Sequence, residues 1–177
     1  DIVGSTNLAR ANETLAHQQF QDVFRILAGT ISEHNGITHE IRGDALVAEF
    51  GKASEAVEAS ISFQEVNTAK HKSGEINPSP QVRIGIAMGE VVVADGTITG
   101  EGVVMAQRLE QIAPPGAVCI QAAAYETVPA RMGFSFFDAG KHRLKGFDDP
   151  VHAFSSMAIE SPHRVGSGSR DRRTLSI

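Results

Sequence analysis

The sequence predicts an α+β fold of ferredoxin-like type: a mostly antiparallel sheet with helices on one face, followed by extra helix and strand pieces. Three observations predict it. Apolar residues alternate between helical and strand spacing in the order β-α-β-β-α-β. The 177 residues are 41% hydrophobic and 21% charged, enough to bury a core as one domain. Turn formers (Asn35-Gly36, Gly43-Asp44, Asp95-Gly96, Pro114-Pro115-Gly116) separate the periodic segments.

Residues 1–6, Asp-Ile-Val-Gly-Ser-Thr, read as the end of a strand entering a helix. An ordinary strand starts several residues earlier, so the sequence is read as opening inside its first strand, a domain cut from a longer protein. Leu8, Ala11, Leu15, Val23, Ile26, Leu27 and Ile31 predict one long helix over 5–33, capped by Ser5 or Thr6 and ended by Asn35-Gly36. Two short strands follow at 38–41 and 45–50, with 42–44 as a tight turn. A second amphipathic helix is expected over 54–72, then a polar loop through Pro80.

Alternating Val82, Ile84, Ile86 and Met88 predict a strand over 81–88. Gly89 breaks it, and 90–94 reads as another strand. Gly100-Glu101-Gly102 opens a third helix, to about Ile112. A strand at 117–120, a short helix at 121–127 and late strands at 134–138, 143–144 and 151–155 complete the pattern. The domain is expected over 1–158, and the Ser/Gly/Arg-rich 159–177 as a flexible tail.

Charge narrows the function. The net charge is −5, and four of the 16 basic residues (Arg164, Arg170, Arg172, Arg173) sit in the tail, so the body is more acidic still. An acidic body without Trp and with one Tyr argues against an RNA-binding sheet and against non-specific nucleic-acid binding. A small anionic ligand held by a few placed cations and a metal stays open. No apolar run crosses a bilayer, so a membrane is expected only through segments outside this sequence, and the location is expected to be cytoplasmic. Cys119, the lone cysteine, sits among apolar neighbours and reads as core. The seven histidines show no metal-ligand spacing, and His39 reads as an exposed neighbour of Glu40.

Two acidic residues stand out. Asp1 ends a strand directly before a helix start, and Asp44 lies in the turn of a hairpin. In this fold the first strand runs beside that hairpin, so the carboxylates can converge and hold Mg²⁺ or Mn²⁺ with backbone carbonyls and ligand phosphates. The Gly4-Ser5-Thr6 helix start offers N–H groups to phosphate oxygens. The plain alternative is that Asp44 forms a turn and Asp1 ends a strand.

Five ordered blocks over 1–155 give the sequence a resemblance. They are Asp1 to Thr6; Gly43-Asp44 before 45–50; Arg83 through Glu90; Gly100 through Leu109 with Ala113 to Gly116; and Leu144-Lys145-Gly146 with Pro150-Val151. By them the chain is identified as a member of the class III nucleotidyl cyclases. The resemblance implies the nucleotide cyclase fold and conversion of a nucleoside triphosphate to a 3′,5′-cyclic nucleotide and pyrophosphate. It implies two Mg²⁺ or Mn²⁺ ions per site on Asp1, Asp44 and the Ile2 carbonyl, with Ser5 and Thr6 at the phosphates. Arg108 matches the transition-state arginine, and Lys145 a basic residue that meets the terminal phosphates.

Glu40 and Thr97 match the base-selecting pair. Glu40 leans toward guanine on chemistry, Thr97 suits either base, and family frequency slightly favours ATP, so the base stays open. Val104 stands where the family commonly carries Asn, which removes one donor to ribose or phosphate; low activity, or Gln107 as a substitute donor, follows. The resemblance further implies a head-to-tail homodimer. One chain gives the metal aspartates, and its partner gives the base-selecting residues and the arginine. The alternative reading is a weak or inactive cyclase-like domain that dimerises or binds nucleotide to regulate a neighbour.

Overall fold

The computed structural model describes residues 1–73 and 78–158. Chain order is α1 (Ser5–Ala11), α2 (Glu13–Glu33), β1 (Ile37–Arg42), β2 (Ala45–Glu49), α3 (Ala53–His71), β3 (Ile84–Ile86), β4 (Val92–Ala94), β5 (Thr97–Thr99), α4 (Glu101–Ile112), β6 (Val118–Gln121), α5 (Ala122–Tyr125), β7 (Phe136–His142) and β8 (Val151–Ser156).

The α+β class holds, and pairing is antiparallel apart from β3 with β6. The strands form a β1–β2 hairpin, a four-stranded sheet in the order β3-β6-β8-β7, and a β4–β5 hairpin. Residues 1–3 join the first two. The Ile2 N–H donates to the Asp44 carbonyl (2.9 Å), the Val3 N–H to the Gln81 carbonyl (2.9 Å), and the Arg83 N–H to the Asp1 carbonyl (2.9 Å). The first segment therefore lies between the hairpin turn and the approach to β3.

The helices do not share one face, contrary to the sequence expectation. Val118, Ile120 and Ile86 pack against Ala56 and Val57 of α3. Cys119, their alternate neighbour, packs against Met105 and Leu109 of α4. Strand side chains point to opposite faces in turn, so α3 and α4 cover opposite faces of the sheet. A third cluster joins Ile2 and Val82 to Val23, Leu27 and Ile31 of α2 and Phe63 of α3. α4 crosses β3 so closely that a Cβ on Gly85 would lie 2.0 Å from the Ala106 carbonyl oxygen.

Other differences are local. The long first helix is two, because Asn12 is extended and its side-chain oxygen caps α2 by accepting from the Leu15 N–H (3.0 Å). Neither Ser5 nor Thr6 caps α1; Gly4 stands at its N-cap in a left-handed conformation (φ 70°) that favours glycine. The strand expected over 81–88 keeps only Ile84–Ile86, with Val82 bridged to Ile2 and Met88 exposed. β5 was not foreseen, β7 runs on to His142, and residues 143–144 form no strand. The tail expected over 159–177, and 74–77 of the polar loop, lie outside the described residues.

Candidate active site

The candidate residues fall into three groups. The first is a corner formed by residues 1–5 and the hairpin turn. Gly43 takes the positive φ (63°) that turns β1 into β2. The turn brings Asp44 beside the first segment, where the Ser5 hydroxyl donates to its Oδ2. Asp1 Oδ2 accepts from Arg83 Nη2 (2.7 Å), and the same nitrogen meets Glu110 Oε1 of α4 at 3.2 Å. Sequence reasoning gave Arg83 and Glu110 no role. The available signal was a cation inside an otherwise apolar strand, which needs an anionic partner. Burial raises the Glu110 carboxyl above its usual range, and the negative charge of Asp44 adds to this, while Arg83 opposes it.

This corner fits a divalent cation. Each aspartate commits Oδ2 to a protein partner, and among the described residues neither Oδ1 has one. Two carboxylate oxygens beside the main chain at Ile2 make a hard, oxygen-only donor set, the kind Mg²⁺ and Mn²⁺ select. Ser5 holds Asp44 directly, whereas Thr6 is exposed and makes no side-chain hydrogen bond among the described residues. Groups of three or more His, Cys, Asp or Glu able to hold a metal do not occur among the described residues.

The second group lies on the outer flank of α4. Arg108 Nε donates to the Lys145 carbonyl oxygen (3.1 Å), and Nη1 to Gln111 Oε1 (3.1 Å). The two cations the sequence singled out are therefore neighbours, and the Lys145 side chain is exposed. Val104 sits one turn before Arg108 on the same flank, 39% exposed. Arg108 and Glu110 are two residues apart, about 200° around the helix. Since Glu110 reaches Arg83 and the Asp1 corner, Arg108 projects away from the aspartates of its own chain.

The third group joins β1 to β5. Glu40 Oε1 accepts from Arg42 Nη2 (2.5 Å) and from the Ile98 N–H (3.3 Å), while Arg42 Nη2 also donates to the Ile98 carbonyl (3.1 Å). Glu40 thus lies beside Thr97, which is exposed. The hydrogen bond from Arg42 holds the Glu40 carboxyl below its ordinary value of 4.5. His39, expected to be exposed, has its ring Nε2 2.8 Å from Glu49 Oε2 and is largely buried. A cavity of about 450 Å³ lined by Glu101, Gln121, Phe147, Asp149 and His152 contains none of the candidate residues.

Comparison with known proteins places the chain among relatives. The family described as the adenylate and guanylate cyclase catalytic domain matches residues 1–157. The chain is 31% identical over 159 residues to a Rhizobium meliloti protein provisionally named adenylate cyclase 3, covering 88% of this chain and 27% of that protein. It is 28% identical over 162 residues to an adenylate cyclase of Streptomyces coelicolor, covering 88% of this chain and 41% of the other. It spans less than half the length of either relative. Among solved structures, an adenylate/guanylate cyclase/hydrolase from Silicibacter pomeroyi superposes with a TM-score of 0.76 at 24% identity, covering 92% of this chain and 93% of that one.

Proposed function

The chain belongs to the adenylate and guanylate cyclase catalytic-domain family, and from that premise we propose that it converts a nucleoside triphosphate to its 3′,5′-cyclic nucleotide and pyrophosphate at sites shared by two copies. The observation that carries the reading is the corner where, among the described residues, Asp1 and Asp44 each have one oxygen without a hydrogen-bond partner. In the reaction the ribose 3′-oxygen attacks the α-phosphorus in line as pyrophosphate leaves. Two Mg²⁺ or Mn²⁺ ions, when bound, supply positive charge to the entering and leaving oxygens.

The chain's own residues do the rest. Asp1, Asp44 and the Ile2 carbonyl hold the ions, and Ser5 fixes the orientation of Asp44. The Ser5 and Thr6 N–H groups head α1 toward the phosphates. Arg108 donates to the phosphates as charge moves onto them, and Lys145 meets the terminal phosphate as a point charge. Glu40 and Thr97 face the base.

The shared site is supported by the two flanks of α4. Arg108 and the aspartates of one chain face different ways, which suits a site completed by the arginine of another copy. A head-to-tail dimer gives two equivalent sites. Exposed apolar side chains at Met88, Val92, Val93 and Val104 offer the surface for it. Val104 donates nothing to ribose or phosphate, so turnover is low for the fold. A cytoplasmic location fits the triphosphate substrate, and no helix among the described residues is long and apolar enough to cross a membrane.

The experiment is a product assay with ATP and with GTP in Mn²⁺ and in Mg²⁺. Formation of a cyclic nucleotide, lost in Asp44→Ala, is expected. Nucleotide binding without product from either triphosphate selects the regulatory, non-catalytic reading, which Val104 favours.

A further inference from the structure

The hairpin edge carries a contact that the proposed chemistry leaves unused. Glu40 and Arg42 are two apart on β1, so they point to the same face, toward β5. Arg42 Nη2 and the Ile98 N–H both take Glu40 Oε1, and among the described residues Oε2 accepts nothing. Arg42 also holds the Ile98 carbonyl, one residue from Thr97, so a single guanidinium ties the carboxylate to the strand that bears its partner. The Glu40 side chain is 19% exposed and that of Arg42 49%, which leaves the pair open to a ligand from one side.

The purines differ in what they ask of such a group. The guanine edge presents two adjacent donors, N1–H and the 2-amino group, and both oxygens of a free carboxylate match them. Adenine presents one donor, its 6-amino group, beside the N1 acceptor. With Oε1 committed, Glu40 offers one acceptor, and the Thr97 hydroxyl can donate to N1.

We propose that Arg42 is a positioning residue for base choice: by occupying Glu40 Oε1 it converts a guanine-type acceptor pair into a single acceptor that selects adenosine triphosphate. This rests on the assignment of Glu40 and Thr97 to the base in the proposed function. A donor of guanine left without an acceptor in the pocket disfavours GTP by on the order of ten- to a hundredfold.

The test measures kcat/KM for ATP and GTP side by side in the full chain, with competition by ATP and GTP for a bound fluorescent nucleotide as a readout independent of turnover. The wild-type chain prefers ATP. Arg42→Leu leaves Oε1 with only the longer bond from the Ile98 N–H (3.3 Å), so a lone pair is free for guanine, and it lowers the ATP:GTP ratio on the order of tenfold, chiefly through the KM for GTP. Arg42→Lys keeps a donor on Oε1 and retains the wild-type ratio. Glu40→Ala added to Arg42→Leu abolishes the gain for GTP. An Arg42→Leu ratio equal to wild type, or a wild-type preference for GTP, overturns the proposal. Should Arg42→Leu fail to fold by circular dichroism, Arg42→Met, which likewise carries no N–H donor, takes its place under the same two criteria. Absence of product from either nucleotide sinks the cyclase reading alone, because the competition ratios still decide the role of Arg42.

Discussion

The Asp1 corner and the outer flank of α4 both carry charged candidate residues, but in opposite circumstances. In the corner each charged side chain is bound to another: Ser5 to Asp44, Arg83 to Asp1 and to Glu110, whose side chain is 13% exposed. On the flank Arg108 reaches a carbonyl and a glutamine, the Lys145 side chain is exposed, and Val104 faces outward. One is tied together within the chain; the other leaves its side chains turned outward. Substitutions in the corner should therefore disturb stability as well as activity, and those on the flank activity alone.

The largest expected effect comes from Asp44→Ala. If Asp44 holds the cation as proposed, its loss lowers cyclic-nucleotide formation on the order of a thousandfold or more. A corner variant that kept wild-type kcat would break the comparison at its root. Next is Arg83→Met, which leaves the Glu110 carboxylate partly buried without its cation and costs about 2–3 kcal/mol in urea unfolding. Burial has already raised the Glu110 carboxyl, so its folded value exceeds its unfolded one. Such a group stabilises the fold fully below the unfolded value, about 4.5, and that contribution is lost as pH rises through the folded value. Glu110→Gln should flatten this decline. On the flank, Val104→Asn restores a donor one turn from Arg108, and kcat rises on the order of tenfold with the urea midpoint unchanged. Smallest is a chemical contrast in the core that both regions rest on. Burial pushes the Cys119 thiol up to about 11, so iodoacetamide at pH 8 leaves it unmodified in the native protein and alkylates it in urea.

The corner was legible in the sequence because its residues are local to strong signals. Asp1 precedes a helix start, and Asp44 follows a glycine with positive φ between two apolar strands. Arg83 and Arg42 were not legible. Their roles depend on partners 82 positions away in Asp1 and 56 away in Ile98, and spacing along the chain does not report such distances. The opposite placement of α3 and α4 was missed for a related reason. Val118, Cys119 and Ile120 are a continuous apolar run, and only a strand covered on both faces explains one. The break at Asn12 was hidden because Leu8, Ala11 and Leu15 keep helical spacing across it, while the cap depends on one side-chain oxygen.

The shared site is tested most directly by mixing. Asp1→Ala and Arg108→Ala chains, each purified and each inactive alone, are combined in equal amounts and assayed for cyclic nucleotide. In a head-to-tail dimer half of the dimers are mixed, and each mixed dimer carries one intact site, so activity should recover to about a quarter of wild type. A mixture as inactive as its components would contradict the account.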